Sequence, residues 1–333
     1  MITLREIDLK NFKIRTDLVD DINDLNGTNY EKNGFIINRY EIDDKMSLKL
    51  KKKRGKYVTI SFDDITDGDN YLKLKEVLKD ELKPFFIDKN KILVIGLGNR
   101  ESTPDSLGPL VIDDILVTAY LEDFGPIEEG FKNTAIFAPG VTGSNGIETI
   151  SLIKSVVSIY KPSLVVLIDA LATSSMSRVC KTIQITDTGI NPGSGVLNSR
   201  GEISFETLNV DVLAIGVPTV VDAVSVVSET ISFLEKKYSF QKKFMEKKKS
   251  LFVPSFNINY LKEDIEKVDT KELLGLVGSL DNIERNQLFY EVLNPIGYNL
   301  MVTPKEIDFV IKKISSLISS SLNETVHDKF IQK

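Results

Sequence analysis

The sequence predicts an α/β protein in which a mostly parallel sheet lies between two layers of helices. Short runs of apolar residues, each long enough for one buried strand, recur between residues 91 and 215. Segments with apolar residues at helical spacing lie between several of these runs. Loops rich in glycine and aspartate follow the predicted strands. Strands that alternate with amphipathic helices are typical of a three-layer α/β fold.

The predicted strands and the helices between them follow in chain order. The polar first 90 residues are predicted to hold a strand at 56–62 and a helix at 71–82. A buried strand follows at 91–95, and the next helix has Pro109 in its first turn and runs to about Leu121. Further strands are predicted at residues 134–138, 164–168, 182–186 and 212–215.

Three more helices are predicted from the spacing of apolar residues. The first covers residues 146–160, and a longer one covers residues 222–238. The last begins at residues 303–306 (TPKE), where the pattern predicts a capping box with Pro304 at the first helical position.

Composition excludes several classes of protein. A net charge of −6 argues against nucleic-acid binding as the main role, because phosphate neutralisation needs a basic surface. The single cysteine, Cys180, rules out an intrachain disulfide and fits a reducing cytoplasm. The N-terminus lacks a signal-peptide pattern, and the apolar runs are far shorter than the roughly 20 residues of a membrane span. We expect the protein to stay where it is made and to bind no membrane.

The chain has one histidine, His327, which is expected in a polar C-terminal tail. Histidine-based zinc sites are therefore excluded, and we do not expect a serine or cysteine nucleophile to recruit this residue. The glycines at 96–98 and 193–195 match neither the dinucleotide-binding nor the Walker pattern, so no nucleotide cofactor is expected. Hydrolytic chemistry would have to use carboxylates, lysines or backbone dipoles.

Aspartates follow three of the predicted strands, at the edge where open α/β sheets bind ligands. They are Asp105, Asp169 and Asp187. Two carboxyl groups a few ångströms apart cannot both ionise, so one can act as an acid while the other activates water. Each aspartate also has a structural interpretation: Asp105 can cap a helix, and the other two can close turns.

Six blocks of the sequence resemble the germination protease family, and they occur in the family's order. The blocks are Arg15-Thr16-Asp17-Leu18 and residues 95–109 (IGLGN…TPDSLGP), 139–149 (PGVTGSNGIET), 169–200 (DALATSSMSRVCKTIQITDTGINPGSGVLNSR), 214–223 (AIGVPTVVDA) and 299–308 (NLMVTPKEID).

The resemblance implies a fold similar to that of the hydrogenase-maturation endopeptidases. It implies an endopeptidase that starts the degradation of small acid-soluble spore proteins during germination, in the cytoplasm of the spore core. It also implies an inactive precursor that removes its own N-terminal segment, and a homotetramer. The implied propeptide is residues 1–17, followed by one peptidase domain at 18–333, in which 90–225 form the catalytic core and 226–333 a helical C-terminal part.

The resemblance also implies site residues. Two catalytic aspartates fall by motif on Asp105 and Asp187, and the processing site falls near Asp17 and Leu18. We expect these two aspartates to face each other across one water molecule. Neither a metal ion nor another cofactor is expected. Supporting residues in the same blocks are Asn99, Gly140, Asp169, Gly193 and Ser194.

Two alternatives remain open. One is a metal-assisted endopeptidase in which Asp105, Asp169 and Asp187 bind a hard cation through oxygen. The other is a non-catalytic module that binds nucleotides or storage proteins on the same fold.

Overall fold

A computed structural model describes residues 16–22, 25, 27–50, 52–192, 201–247, 274–293 and 300–330 of the chain. The chain divides into two compact units. The larger, which we call the sheet unit, comprises Arg15–Thr173, Ser177–Val220 and Thr303–Lys333. The smaller comprises Met1–Ile14, Ser174–Met176 and Val221–Val302.

The described strands form one sheet in the order β1-β2-β3-β7-β8-β6-β4-β5, and β9 pairs with the last residues of β8. Their bounds are β1 Thr28–Lys32, β2 Phe35–Ile42, β3 Gly55–Ser61, β4 Lys91–Gly96, β5 Asn133–Phe137, β6 Leu164–Thr173, β7 Thr182–Thr186, β8 Val212–Asp222 and β9 Met301–Val302.

The sheet has a parallel half and an antiparallel half. β4 pairs in parallel with both β5 and β6. β8 runs in the same direction as β6, because Val165 N donates to the Asp211 carbonyl where both strands begin. Every pairing from β1 through β2, β3 and β7 to β8 is antiparallel. The α/β class is confirmed, and β7 belongs to the antiparallel half.

Helices lie on both faces of the sheet unit. On one face α5 packs on apolar side chains of alternate residues of β4 and β6, including Leu93 and Val165. On the other face α3 packs on the same strands, and α10 packs against α2 and α3. The described helices are α1 Asp44–Leu50, α2 Gly68–Leu82, α3 Leu107–Asp113, α4 Thr142–Asn145, α5 Thr149–Tyr160, α6 Phe205–Leu208, α7 Ala223–Lys247, α8 Leu276–Ser279, α9 Asn282–Leu293 and α10 Ile307–Val326.

Two predictions near the C-terminus are wrong. The Thr303 hydroxyl donates to the Thr219 carbonyl at 2.8 Å instead of capping the last helix, which begins at Ile307 without a side-chain cap. His327 is only 1% exposed, and its Nδ1 accepts from Lys132 N at 3.1 Å. Burial lowers the pKa of His327, so this residue is a neutral packing group and not part of a polar tail.

The helix after the first buried strand is also shorter than predicted. α3 ends at Asp113, and a separate 3₁₀ turn covers Ala119–Phe124. Among the described residues, no helix is both long and apolar enough to cross a membrane.

Candidate active site

Glycines hold the loop after β4 against the ends of β4 and β6. A Cβ atom on Gly108 would lie 2.3 Å from the Leu97 carbonyl oxygen and 2.7 Å from that of Ile168. Gly98 has a φ of +107°, and a Cβ atom there would lie 2.1 Å from the Asp105 carbonyl oxygen. Only glycine permits so close an approach of one backbone to another. The loop that carries Asp105 is therefore fixed at the carboxyl ends of these strands.

The Asp105 carboxylate is oriented by the turn in which it lies. Asn99 N donates to Asp105 Oδ2 at 2.9 Å and to the Asp105 carbonyl oxygen at 3.0 Å. The Asn99 side chain shapes the same turn, since its Oδ1 accepts from Glu101 N at 3.1 Å. Asn99 thus positions Asp105 through its backbone.

Asp169 is a buried acid next to this turn. It follows Ile168, which pairs with the last residue of β4, and it is 6% exposed. Burial raises the pKa of Asp169 well above its usual value, and the negative charges of Asp105 and Asp17 raise it further. The N–H of Ala170 offsets part of this effect. Asp169 therefore keeps its proton to a higher pH than an ordinary aspartate does.

The segment that contains the expected processing site lies beside Asp169. Asp17 N donates to the Ala172 carbonyl at 3.0 Å, and Asp17 Oδ2 accepts from Ala172 N at 2.9 Å. Leu18 and Val19 are fully buried. Asp17 is therefore hydrogen-bonded to the end of β6, and the next two side chains are buried.

Charged residues that the sequence did not single out anchor this segment. Arg178 bonds Asp20 Oδ2 through Nη1 at 2.8 Å and Asp21 Oδ1 through Nε at 3.0 Å. Both aspartate side chains are 1% exposed. Asn38 Nδ2 and the Thr59 hydroxyl also donate to Asp20, at 2.9 and 2.8 Å. A buried ion network therefore fastens Asp20 and Asp21 to β2, β3 and the segment that follows β6.

Asp187 lies at the amino ends of the parallel strands, whereas Asp105 lies at their carboxyl ends. It follows Thr186, which pairs with Ala214 near the start of β8. Asp105 follows β4, and Asp169 follows the last residue of β6 that pairs with β4. Asp187 Oδ1 accepts from Lys56 N at 2.7 Å, so this side chain closes the beginning of β3. The expectation that Asp105 and Asp187 face each other is wrong, because β7 runs antiparallel to β8.

The remaining expected residues divide between described and undescribed parts of the chain. Gly140 follows β5, the parallel neighbour of β4, so it lies at the same edge as Asp105. Its φ is +68°, a conformation that favours glycine. Gly193 and Ser194 lie outside the described residues.

Metal binding by three aspartates does not fit this geometry. Asp187 is at the opposite edge, so the ligand set that was expected from Asp105, Asp169 and Asp187 is not assembled. In the described ranges, no three His, Cys, Asp or Glu residues are grouped so as to hold a metal ion.

The fold and this site place the chain among α/β proteins that carry a buried acid, Asp169, at the carboxyl ends of parallel strands. A family model described as germination protease, a peptidase family, matches residues 2–333. The chain belongs to the germination protease family and is a peptidase.

Relatives in Geobacillus and Bacillus are similar to this chain over most of its length. A germination protease of Geobacillus sp. (strain WCH70) is 38% identical over 98% of this chain and 97% of its own length. One from Bacillus thuringiensis subsp. konkukian (strain 97-27) is 40% identical, with coverage of 98% and 97%. One from Bacillus cereus (strain 03BB102) is 42% identical, with coverage of 91% and 86%.

A solved structure has a much weaker similarity. The [NiFe] hydrogenase maturation protease HycI from Thermococcus kodakarensis KOD1 is 21% identical, over 43% of this chain and 80% of its own, with a TM-score of 0.27. That similarity is too weak to support an inference about this chain.

Proposed function

We propose that this chain is the endopeptidase that starts the degradation of small acid-soluble spore proteins during germination, with Asp105 and Asp169 as its catalytic pair. One observation carries the choice of residues: Asp169 is buried beside Asp105, and that neighbour helps to raise its pKa. Membership of the germination protease family supports the substrate and the setting, the cytoplasm of the spore core.

The two carboxyl groups would divide the acid and base roles. The Asp105 carboxylate, held by Asn99 N–H, takes a proton from water as the water oxygen attacks the peptide carbonyl carbon. Asp169 supplies its proton to the departing amine, because its pKa is raised. The products are one carboxyl and one amino terminus.

The same pair would process the precursor. The Asp17 charge contributes to the raised pKa of Asp169, which supports one shared site for the pair and residue 17. We propose that cleavage of the Asp17–Leu18 bond removes residues 1–17 and switches the enzyme on. A protein that begins at Leu18 should then cleave substrate faster than the full chain, and equal rates would contradict this activation step.

A homotetramer completes the proposal. Several described helices expose large apolar side chains, such as Leu48 and Ile159, that a partner subunit can cover. Light scattering should give about four times the chain mass of 37.3 kDa. A stable monomer at micromolar concentration would contradict it.

Mass spectrometry of a purified small acid-soluble spore protein after incubation with the pure enzyme tests the function. We expect cleavage at a few defined bonds, and none with the Asp169→Asn variant. Binding without cleavage by the processed wild-type protein would favour the non-catalytic alternative. Cleavage that a chelator abolishes and one added metal restores would favour the metal-assisted alternative.

A further inference from the structure

The carbonyl oxygen of Asp17 receives two side-chain donors. Lys52 Nζ lies 2.9 Å from it, and Gln184 Nε2 lies 3.4 Å from it. Lys52 Nζ also donates to the Thr16 carbonyl, at 3.3 Å. Two N–H donors on one peptide carbonyl form the arrangement that stabilises an oxyanion during acyl transfer.

Gln184 holds both sides of the bond that follows this carbonyl. Its Nε2 donates to the Asp17 carbonyl, while its Oε1 accepts from Val19 N at 2.7 Å. Gln184 lies in the middle of β7 between Thr59 and Gly216, and it is 6% exposed. A side chain fixed in this way presents the Asp17–Leu18 bond in one conformation.

Lys52 brings a charged donor to the same atom. Burial lowers the pKa of Lys52, and the Asp17 and Asp21 carboxylates oppose that shift. An ammonium donor forms a stronger hydrogen bond to a developing negative charge than to a neutral carbonyl. Its contact with the Asp17 carbonyl therefore strengthens when that oxygen becomes negative.

We propose that Lys52 and Gln184 stabilise the oxyanion that forms on the Asp17 carbonyl when the Asp17–Leu18 bond is cleaved. This inference rests on the proposed function, in which the Asp105–Asp169 pair cuts that bond. It adds two residues that act on the carbonyl oxygen, whereas the two acids transfer protons.

The chemical step balances without a further reactant. The water oxygen bonds to the Asp17 carbonyl carbon, one water proton passes to Asp105, and the π electron pair moves onto the carbonyl oxygen. Lys52 and Gln184 stabilise the resulting tetrahedral oxyanion. As the double bond re-forms, the C–N bond breaks and the Leu18 nitrogen takes the proton of Asp169. The new Asp17 carboxyl group then passes its proton to that amine, which gives a carboxylate and an ammonium group, and transfer of the proton on Asp105 to Asp169 restores the pair.

Both residues could instead be anchors that only hold the segment in place. The two roles differ in what a substitution changes. Loss of an anchor releases residues 16–22, whereas loss of an oxyanion donor slows cleavage while the segment stays docked.

The test measures the rate at which purified precursor yields a chain that begins at Leu18, by mass spectrometry. Lys52→Met removes the charged donor at similar length, and Gln184→Glu keeps the acceptor for Val19 N while it removes the amide donor. Lys53→Met is the matched control, since Lys53 pairs with Glu202 and Glu206 and not with Asp17. Docking is measured by hydrogen exchange of residues 16–22 in precursors that also carry Asp169→Asn.

We expect Lys52→Met and Gln184→Glu each to slow cleavage by about 100-fold, with Lys53→Met at the wild-type rate and exchange of residues 16–22 unchanged. Lys52→Arg, which keeps a cationic donor, should recover part of the loss. If Lys52→Met does not fold, Gln184→Glu decides the question.

Three results would overturn the inference: a wild-type rate in either folded variant, slow cleavage together with fast exchange of residues 16–22, or equal slowing by Lys53→Met. Failure of the proposed function would look different. In that case the wild-type precursor itself would never yield a chain that begins at Leu18.

Discussion

At the scale of single residues, Asp169 and Asp187 differ in what surrounds their carboxyl groups. Burial raises the pKa of Asp169, and the charge of Asp105 raises it further. Asp187 accepts a backbone hydrogen bond from Lys56 at the start of β3. A buried acid with a charged neighbour is suited to proton transfer, whereas a carboxylate that accepts a backbone N–H at a strand end can serve to close a turn.

Exchange of single carboxyl groups for amides should separate these roles. Asp105→Asn and Asp169→Asn should each lower the rate of substrate cleavage by at least about 100-fold, because each removes a proton-transfer group. The double variant should lose little more, since the two residues act as a unit. The comparison uses protein that begins at Leu18, so that a failure of precursor processing cannot lower the measured rate of substrate cleavage.

Asp187→Asn is the matched control for that experiment. It should cleave within a few-fold of wild type, because an amide oxygen can still accept from Lys56 N. A folded Asp187→Asn protein without activity, beside an active Asp169→Asn protein, would return the catalytic role to Asp187.

The raised pKa of Asp169 also predicts how stability changes with pH. The folded protein binds this proton more tightly than the unfolded chain does. The contribution of Asp169 to the free energy of unfolding therefore falls as the pH rises from about 4, the ordinary aspartate pKa, to the raised value. Asp169→Asn removes this dependence.

Urea unfolding at several values between about pH 4 and pH 8 measures the effect. The free energy of unfolding of Asp169→Asn minus that of wild type should increase as the pH rises. A difference that stays constant over this range would show that Asp169 titrates as an ordinary aspartate.

At the scale of elements, the positions of the strands could be predicted and their directions could not. The β3, β4, β5 and β7 predictions lie within about one residue of the structure. Apolar patterning shows where a buried strand lies, but it carries no information on direction. The expectation that Asp105 and Asp187 face each other is wrong for this reason, because the sequence pattern places β7 among parallel strands.

The length of β6 contains information on the direction of β7. β6 continues to Thr173, so residues 174–181 alone join it to β7. That connection is shorter than the dozen or so residues that a parallel crossover usually needs. The β1–β2 hairpin was also missed, although Asn33-Gly34 at its turn is a strong hairpin signal and both residues have positive φ.

Residues 16–22 were beyond prediction for another reason. Their partners, such as Ala172, Arg178 and Gln184, are more than 150 residues away along the chain. Patterns within a short window cannot detect such contacts.

The close packing of the loop between β4 and α3 predicts that one methyl group added at Gly98 lowers stability. Gly98→Ala should destabilise the protein by about 1–3 kcal/mol, because the backbone has positive φ and the Cβ atom would meet the Asp105 carbonyl. It should also lower activity, since Asp105 would have to move. Thermal unfolding and substrate cleavage measure the two effects.

Gly125→Ala is the control for backbone strain alone. Gly125 has a φ of +139°, and a Cβ atom there would meet nothing within 4 Å. Its activity should stay near wild type, and a Gly98→Ala protein as active as Gly125→Ala would contradict the account of the loop.

At the scale of the whole molecule, a buried ion network joins two parts of the chain that are distant in sequence. The network joins Asp20 and Asp21, near the N-terminus, to Arg178 after β6. Removal of one partner of a buried ion pair leaves an uncompensated charge. Stability should therefore depend on this contact between distant parts of the sequence.

Arg178→Met should lower the free energy of unfolding by roughly 3 kcal/mol, because Asp20 and Asp21 would stay buried without their cation. Arg54→Met is the control, since Arg54 and its partner Asp44 are 70% and 82% exposed, and its effect should be under about 1 kcal/mol. Urea unfolding measures both, and equal effects would mean that the network adds nothing beyond a surface pair.

The burial of Leu18 and Val19 has a consequence for the timing of maturation. A peptide bond that is followed by two fully buried side chains, and whose carbonyl accepts from Lys52 and Gln184, is shielded from other protein molecules in solution. If the Asp17–Leu18 bond is cut as proposed, we therefore expect each molecule to cut its own chain. Cleavage is then first order, so the half-life of the precursor does not depend on its concentration.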